Sequence, residues 1–303
     1  MSPCEASGVL TVNKPAGMTS HDAVNIVRRL YGTKQVGHTG TLDPMATGVL
    51  PVLVGRAVKA SEYLLSERKT YEALLRLGVR TDTGDTTGRV LERSDALPGA
   101  EKVLEVCASF VGKIEQIPPM YSALKVGGKK LVDLARKGVE VERAPRQIEI
   151  FSLDAETENE KEGLYRLTVV CSGGTYIRTL CEDIGKALSC GDAMAALTRS
   201  ACGPFYLKNA HAPEELERMT QEERLKLLLP VEELFSELPR LDLQPFFEKL
   251  IASGCSVDEK KLGASFPEGT RLRLYGARGF FALGEVRPAN GAPAVKAVKH
   301  FLT

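Results

Sequence analysis

The stretch that most constrains this chain is Gly37-His-Thr-Gly-Thr-Leu-Asp43-Pro-Met-Ala-Thr-Gly48. Its glycines allow a positive φ and the close approach of a ligand, and Pro44 disfavours helix at the residue before it. We therefore expect Asp43 on a stiff, irregular loop. A lone Asp-Pro pair is most often a surface turn whose Asp bonds its own backbone, whereas a positioned carboxylate can be a nucleophile or a base. The rest of the sequence has to show which of these two interpretations of Asp43 applies.

The sequence on either side of this loop predicts a mixture of strands and helices. Ser20 has the form of a helix N-cap, and Gly32 lies just past the end of that helix. Strands are predicted at 8–12, 49–54, 70–77 and 164–171, and helices at 57–66, 102–110 and 175–188. These elements do not alternate as regular βαβ units. We therefore predict an α+β fold, with a mixed, largely antiparallel sheet flanked by helices.

A change of composition divides the chain near residue 239. Residues 213–250 have the pattern of acidic, amphipathic helices with a connecting loop. From Ser256 onward, short strand-like runs alternate with glycine and proline. This predicts a first domain over residues 1–238 and a small β-rich domain over residues 239–303.

Size and composition are typical of a soluble globular protein. The chain has 303 residues, 43% of them hydrophobic, and its net charge of +1 gives no global support to a nucleic-acid partner. Its apolar runs fall short of the roughly 20 residues that a membrane span needs, and its N-terminus has no signal-peptide character. Seven cysteines without a C-x-x-C pair fit reduced thiols. We expect a cytoplasmic protein.

The local charge between Lys125 and Arg146 differs from this average. The segment carries seven basic and three acidic residues, a net charge of +4. On composition alone, a solvated surface and a phosphate-binding segment explain such a run equally well.

Several kinds of active site lack their motifs in this sequence. The four histidines, at positions 21, 38, 211 and 300, do not cluster at the spacing of metal ligands. There is no P-loop, no G-x-S-x-G nucleophile elbow, and no G-x-G-x-x-G after the first predicted strand. A carboxylate with polar loops and a basic segment remains.

Six motifs, in order, then relate the chain to a known family. They are Asn13-Lys-Pro-Ala-Gly-Met-Thr-Ser20, the Gly37–Gly48 stretch continued to Leu50, Lys69-Thr-Tyr71, Gln116-Ile-Pro-Pro-Met-Tyr-Ser-Ala-Leu-Lys125, Gly173-Gly-Thr-Tyr-Ile-Arg-Thr-Leu180 and Leu197-Thr-Arg199. Over residues 8 to 206 the chain resembles the bacterial tRNA pseudouridine synthases of the TruB type, which isomerise the T-loop uridine at position 55 of tRNA. The C-terminal part resembles a PUA RNA-binding module, through its position and Glu268-Gly-Thr-Arg-Leu-Arg273.

The resemblance implies roles for ten residues. Asp43 would be the catalytic carboxylate, Arg178 the arginine that pairs with it, and Tyr71 a tyrosine that stacks on uracil or assists proton removal from C5. Binding roles are implied for Lys14, His38, Lys125, Lys129, Lys130, Tyr176 and Leu197. Among these, His38 would fill the space that the flipped base leaves, Lys14 would act mainly through structure, and the other lysines would contact phosphates in a basic insertion at about 120–146.

The resemblance also implies the partners and the chemistry. The substrate would be the T-arm stem-loop of tRNA, with no cofactor, no metal, no obligate protein partner and no membrane, and we expect a monomer. Asp43 could attack C1′, attack C6 or work through a glycal. Two alternatives are a relative that depends on guide RNA and a non-catalytic RNA-binding or RNA-folding protein on the same scaffold. The basic insertion argues against the first, and the intact set of implied catalytic residues argues against the second.

Overall fold

The computed structural model describes residues 6–64, 68–289 and 291–301. Within them the strands are β1 (Gly8–Lys14), β2 (Val36–His38), β3 (Thr47–Val54), β4 (Lys69–Leu77), β5 (Val79–Thr81), β6 (Val90–Arg93), β7 (Gly112–Gln116), β8 (Lys125–Val126), β9 (Lys129–Lys130), β10 (Arg146–Asn159), β11 (Leu164–Cys171), β12 (Asp192–Cys202), β13 (Phe205–Tyr206), β14 (Arg240–Asp242), β15 (Val257–Asp258), β16 (Arg271–Gly276), β17 (Gly279–Ala289) and β18 (Ala292–His300). The α-helices are α1 (Ser20–Tyr31), α2 (Ser61–Leu64), α3 (Ala100–Ala108), α4 (Leu131–Ala135), α5 (Ile177–Leu188), α6 (Pro213–Arg218), α7 (Gln221–Lys226) and α8 (Pro245–Ala252). Short 3-10 helices occupy Gly55–Ala60, Glu160–Glu162, Leu207–Asn209, Val231–Phe235 and Glu259–Leu262.

Nine strands form one large sheet. Its central order is β1-β3-β12-β4-β11-β10-β7, with β2 beside β3 and β13 beside β12. β12 runs parallel to β3, and the other neighbouring pairs of this sheet are antiparallel. The predicted α+β fold and its mixed, largely antiparallel sheet are therefore confirmed.

The central strands bury one face of this sheet. Leu167, Val169 and Cys171 alternate along β11 and are all fully buried, as their spacing predicts. They join the core cluster that residues of α3 and α5 complete on the same face. Full burial of a large apolar side chain is worth about 1.5–3 kcal/mol. This packing fixes α5, which carries Arg178, against the sheet.

The first helix begins one residue earlier than predicted, at a different cap. Thr19, not Ser20, is the N-cap: its side chain accepts from the backbone N–H of Asp22, whose carboxylate accepts from the Thr19 backbone in return. A capping box needs its acidic residue three positions after the cap, and Asp22 satisfies that spacing from Thr19. Gly32 ends the helix in the left-handed region, at φ 62°, as predicted.

Three other predicted helices differ in their bounds. The run 57–66 is a 3-10 helix followed by α2, which ends at Leu64, and residues 65–67 lie outside the described residues. The helix predicted at 102–110 spans Ala100–Ala108. The helix predicted from residue 175 begins at Ile177, because Tyr176 is extended and serves as its N-cap. Arg178 lies in the first turn of α5, as expected.

A second sheet lies in the C-terminal part, in the order β14-β16-β17-β18-β15. The strand-like runs predicted there correspond to β16, β17 and β18. An aromatic cluster joins this sheet to the first one: Phe235, Phe280 and Phe301 pack against Val9 and Leu53. The three rings lie 5.4 to 6.2 Å apart between centroids. The two sheets thus share a continuous apolar contact.

The cysteines that the structure describes are free thiols, five of them buried and Cys255 exposed. Cys4 lies outside the described residues. In the parts of the chain that are described, no helix combines the length and the apolar character required to cross a membrane.

Candidate active site

Residues 39–46 of the Gly37–Gly48 stretch form an irregular loop around Asp43, as the composition predicts, and the two ends of the stretch belong to β2 and β3. Gly48 has φ +102°, and a Cβ there would lie 2.3 Å from the carbonyl oxygen of Arg199, so only glycine fits where β3 meets β12. The Ser20 hydroxyl exchanges hydrogen bonds with the backbone of Leu42, at 2.9 and 3.1 Å. The loop is therefore fixed to both the sheet and α1 on either side of Asp43.

Arg178 and Asp43 form a two-point ion pair. The Arg178 Nε donates to Oδ2 of Asp43 at 2.9 Å, and its Nη2 donates to Oδ1 at 3.1 Å. The Arg178 side chain is 7% exposed, whereas 32% of the Asp43 side chain remains open. Bidentate pairing of this kind fixes the orientation of a carboxylate and is stronger than a neutral hydrogen bond. Asp43 is thus held rigidly while part of it still faces solvent.

The other N–H groups of Arg178 bind two further segments. Nη1 donates to the carbonyl of Thr83 at 3.0 Å, in the polar loop after β5, and Nη2 donates to the carbonyl of Tyr121 at 2.9 Å. Asp85 orders the first of these segments, because its carboxylate accepts from the Thr83 and Thr87 hydroxyls. One guanidinium therefore joins the Asp43 loop, the loop after β5 and the start of the basic insertion.

Tyr71 lies on β4 and is buried. It stands opposite Arg199 in the β4–β12 ladder. Burial raises the pKa of Tyr71, and the Arg199 charge opposes that shift. The structure places Tyr71 within the core cluster and beside a cation.

Lys14 is the last residue of β1 and is fully buried. Its ammonium donates to the carbonyls of Pro15 and Met18 at 2.8 Å each, and to that of Pro44 at 3.4 Å. Burial lowers the pKa of Lys14 to about 8, a shift that the negative charge of Asp43 partly opposes. Lys14 thus links the end of β1 to the residue directly after Asp43.

His38 is half-buried at the end of β2, opposite Val52. Burial and the nearby Arg199 charge lower the pKa of His38. Its Nδ1 is buried without a hydrogen-bond partner among the described residues. The ring is therefore held at the base of the loop with one polar atom unused.

Tyr176 and Leu197 lie on separate elements, at the N-cap of α5 and on β12. The backbone of Tyr176 is bound at both N–H and C=O by the side-chain amide of Gln116, at 3.1 and 3.3 Å, and burial raises the pKa of its phenol. Leu197 is buried in the apolar core and pairs with Ala73. Gln116 closes β7 onto the start of α5, which keeps Tyr176 next to Arg178.

The three lysines of the insertion lie on an exposed hairpin. Lys125 pairs with Lys130 across β8 and β9, and Lys129 lies beside the turn. That turn, Gly127-Gly128, has φ of 56° and 81°, which glycine adopts without strain. All three side chains are exposed. The hydrogen bond from Arg178 to the carbonyl of Tyr121 ties the segment just before this hairpin to the Asp43–Arg178 pair.

A cavity of about 610 Å³ borders the site. Its lining includes Thr83 and Tyr121, the residues whose carbonyls bind Arg178, together with Phe110 and Arg143. The cavity therefore lies on the Arg178 side, and Asp43 is not part of its wall. No group of three or more His, Cys, Asp or Glu among the described residues is arranged to hold a metal ion.

Two members of this arrangement were missed by sequence reasoning. Arg199 is 1% exposed and binds the carbonyls of Val49 at 2.7 Å and Gly40 at 3.1 Å. The motif Leu197-Thr-Arg199 was the signal that could have identified it. Gln116 begins another of the family motifs, which gave no reason for an amide at that position.

Comparison with known proteins identifies the class to which this fold and site belong. Two family models match in succession: a TruB family pseudouridylate synthase N-terminal domain over residues 28–177, and a tRNA pseudouridylate synthase B C-terminal domain over residues 178–236. The tRNA pseudouridine synthase B of Dechloromonas aromatica is 50% identical over 95% of this chain and 93% of its own length. That of Syntrophotalea carbinolica is 44% identical over 94% and 93%. The chain therefore belongs to the TruB family of pseudouridylate synthases, which are isomerases.

The solved structures agree on the fold. A Cbf5-Nop10-Gar1 complex contains a chain that matches with a TM-score of 0.70, covering 97% of this chain and 85% of that one, at 24% identity. A likeness at this identity establishes the shared pseudouridine synthase fold. The family resemblance inferred from the six motifs is confirmed.

Proposed function

We propose that this protein isomerises uridine to pseudouridine in the T-loop of tRNA, at position 55, with Asp43 as the catalytic carboxylate. The observation that carries the proposal is the Asp43–Arg178 pair, in which both carboxylate oxygens are bound and part of the side chain stays open. A carboxylate fixed in this way loses little freedom when it meets a sugar or a base, which favours reaction. The names of the relatives supply the class of substrate.

The reaction needs no external oxidant or reductant. The N1–C1′ bond of uridine breaks, the uracil turns, and a C5–C1′ bond forms. The proton on C5 leaves and N1 gains one, so atoms and charge balance without a cofactor. Asp43 can act as a nucleophile at C1′ or C6, or as a base that gives a glycal. In this scheme Tyr71 stacks on the base or receives the C5 proton, and Leu197 and Tyr176 line the pocket that holds the base.

Access to the glycosidic bond requires that the base leave its stack. Enzymes that act on a base extrude it into a pocket at a cost of a few kcal/mol. His38, whose Nδ1 has no hydrogen-bond partner within the described part of the chain, would fill the gap in the T-loop. Lys125, Lys129 and Lys130 would contact phosphates and so make affinity fall as salt rises. Lys14 supports the loop from below.

We further propose that the protein acts as a monomer with a catalytic domain and a second domain that contacts RNA. The catalytic domain would span residues 1–238 and the β-rich domain residues 239–303; the start of β14 at Arg240 supports this boundary. The second domain would add RNA contacts. No protein partner or guide RNA is required in this scheme.

One assay tests the function. A T-arm stem-loop is labelled with tritium at C5 of uridine 55 alone and incubated with the protein and buffer, without guide RNA. We expect release of the label in step with formation of pseudouridine. RNA binding without release would support the non-catalytic alternative, and release only after addition of a guide RNA would support the guide-dependent one. A stem-loop labelled at another loop uridine is the control and should retain its label.

A further inference from the structure

Gln116 is a buried amide that binds both backbone groups of one residue. It is 2% exposed. Its side-chain oxygen accepts from the N–H of Tyr176 at 3.1 Å, and its side-chain nitrogen donates to the C=O of Tyr176 at 3.3 Å. A side-chain amide suits this contact because it carries a donor and an acceptor in one plane. The proposed function assigns no role to this contact.

The contact fixes the residue at which α5 begins. Tyr176 is the N-cap of α5, with an extended backbone at φ −102° and ψ 108°, and its own side chain makes no capping hydrogen bond. Its C=O accepts the first helical bond, from the N–H of Leu180 at 3.0 Å. Gln116 therefore holds the start of α5 from a neighbouring strand. Arg178 lies in the turn that follows directly.

Gln116 also lies at the base of the basic insertion. It is the last residue of β7 and stands opposite Arg146 in the β7–β10 ladder. The chain leaves the large sheet after Gln116 and returns to it at Arg146. The insertion meets α5 a second time at Tyr121, whose carbonyl accepts from Arg178 at 2.9 Å. Residues 116–121 are thus joined to the first turn of α5 at both of their ends.

We propose that Gln116 is a positioning residue for the isomerisation: by binding the backbone of Tyr176 it fixes the first turn of α5, so that the Arg178 guanidinium meets both oxygens of Asp43. This inference rests on the proposed function, because it assumes that Asp43 carries the chemistry. The two bonds from Arg178 to Asp43 measure 2.9 and 3.1 Å. A displacement of about 1 Å at a reacting group can slow a reaction by about 100-fold. In this scheme Gln116 acts through Tyr176 and Arg178 and not on the RNA.

The test replaces Gln116 in two ways. Gln116→Met keeps the length of the side chain without its hydrogen bonds. Gln116→Glu keeps an acceptor for the N–H of Tyr176 but, when ionised, offers no donor to the carbonyl. For each variant we measure the single-turnover rate of tritium release from uridine 55 and the Kd for the stem-loop. We expect the rate to fall by about 10-fold or more in both, with Kd within about 3-fold of the wild type.

A double-mutant cycle tests whether Gln116 acts through Arg178. In the Arg178→Lys background the two-point pair with Asp43 is already lost, so adding Gln116→Met should lower the rate by less than about 2-fold further. Equal reductions in both backgrounds would overturn the proposal, because the amide would then act independently of Arg178. Rates within about 2-fold of the wild type in both Gln116 variants would overturn it too, as would a loss confined to RNA binding.

Two controls separate positioning from a general loss of stability. Arg224 binds the carbonyls of Leu216 and Met219 at 3.2 and 2.6 Å. Arg224→Lys should therefore lower thermal stability without slowing tritium release at temperatures below its unfolding transition. Gln221→Met, at the exposed first residue of α7, should change neither property.

The same measurements distinguish this inference from the proposed function. If the wild-type protein does not release the label from the stem-loop, the proposed function fails. If the wild type releases the label and the Gln116 variants match it, only the role of Gln116 fails.

Discussion

Arg178 binds both carboxylate oxygens of Asp43, at 2.9 and 3.1 Å, across 135 positions of sequence. The same guanidinium holds the carbonyls of Thr83 and Tyr121. Three segments that are remote in sequence thus depend on one side chain for their relative placement. The orientation of Asp43 and the position of the start of the basic insertion therefore both depend on Arg178.

Arg178→Lys should lower kcat by about 100-fold while changing the affinity for RNA little. Lysine keeps the positive charge but cannot bind two carboxylate oxygens and two carbonyls from one plane. Single-turnover tritium release measures the effect. The matched control is Arg166→Lys, an exposed arginine paired with Glu158, which should be as active as the wild type. A lysine variant of Arg178 with unimpaired turnover would show that the planar geometry is unnecessary.

Replacing Lys129 and Lys130 by glutamine should weaken RNA binding and reduce its salt dependence. Removing one phosphate-binding cation reduces the steepness of log K against log salt by about 0.7 to 0.9. Fluorescence anisotropy with a labelled stem-loop, at several salt concentrations, gives that slope. Lys161→Gln, at the exposed tip of the β10–β11 hairpin, is the control. An unchanged slope in the double variant would mean that the hairpin does not touch phosphates.

Asp192→Asn should stabilise the protein at pH 7.5 by roughly 1–3 kcal/mol. Burial raises the pKa of Asp192 from 3.8 to about 7, and its Oδ2 lacks a partner among the described residues. The native state therefore binds more protons than the unfolded state between those values, so the wild type loses stability as pH rises from 4 to 7. Urea unfolding at pH 4.5 and 7.5 should show the difference at the higher pH alone. The exposed Asp154→Asn serves as the control, and a pH-independent difference for Asp192→Asn would refute the assignment.

Lys14 gives a pH effect of opposite sign. Its pKa falls from 10.5 to about 8 on folding, so between these values the unfolded state holds the extra proton. The free energy of unfolding of the wild type should therefore rise, relative to that of Lys14→Met, as pH increases from 8 to 10.5. Denaturation series at pH 7, 8, 9 and 10 measure this difference. Parallel curves for the two proteins would mean that Lys14 is not held as a desolvated cation.

Much of the fold follows from local pattern. The alternation of Leu167, Val169 and Cys171 predicts the buried face of β11, and Gly32 predicts the end of α1. The N-cap was misplaced by one residue because Ser20 is as good a cap by type as Thr19. The position of Asp22 distinguishes them, since the reciprocal bond of a capping box needs a spacing of three.

Local sequence pattern predicts less of the candidate site than of the fold. Its parts come from separate strands and loops, and no spacing in the sequence shows that Arg199 faces Tyr71 or that Thr83 meets Arg178. Strand register and loop closure, which depend on the whole core, create these contacts. The family motifs identified Asp43 and Arg178 together, whereas the amide of Gln116 and the buried Arg199 emerge from the three-dimensional arrangement.

The most direct test of the account replaces the Asp43 carboxylate by an amide of the same shape. Asp43→Asn keeps the size of the side chain and a hydrogen-bond acceptor for Arg178, so the protein should fold and bind the T-arm stem-loop with a Kd within about 3-fold of the wild type. Removal of the charge should lower single-turnover tritium release from uridine 55 by at least about 1,000-fold. Release by Asp43→Asn within about 10-fold of the wild-type rate would contradict the central claim that this carboxylate carries the chemistry.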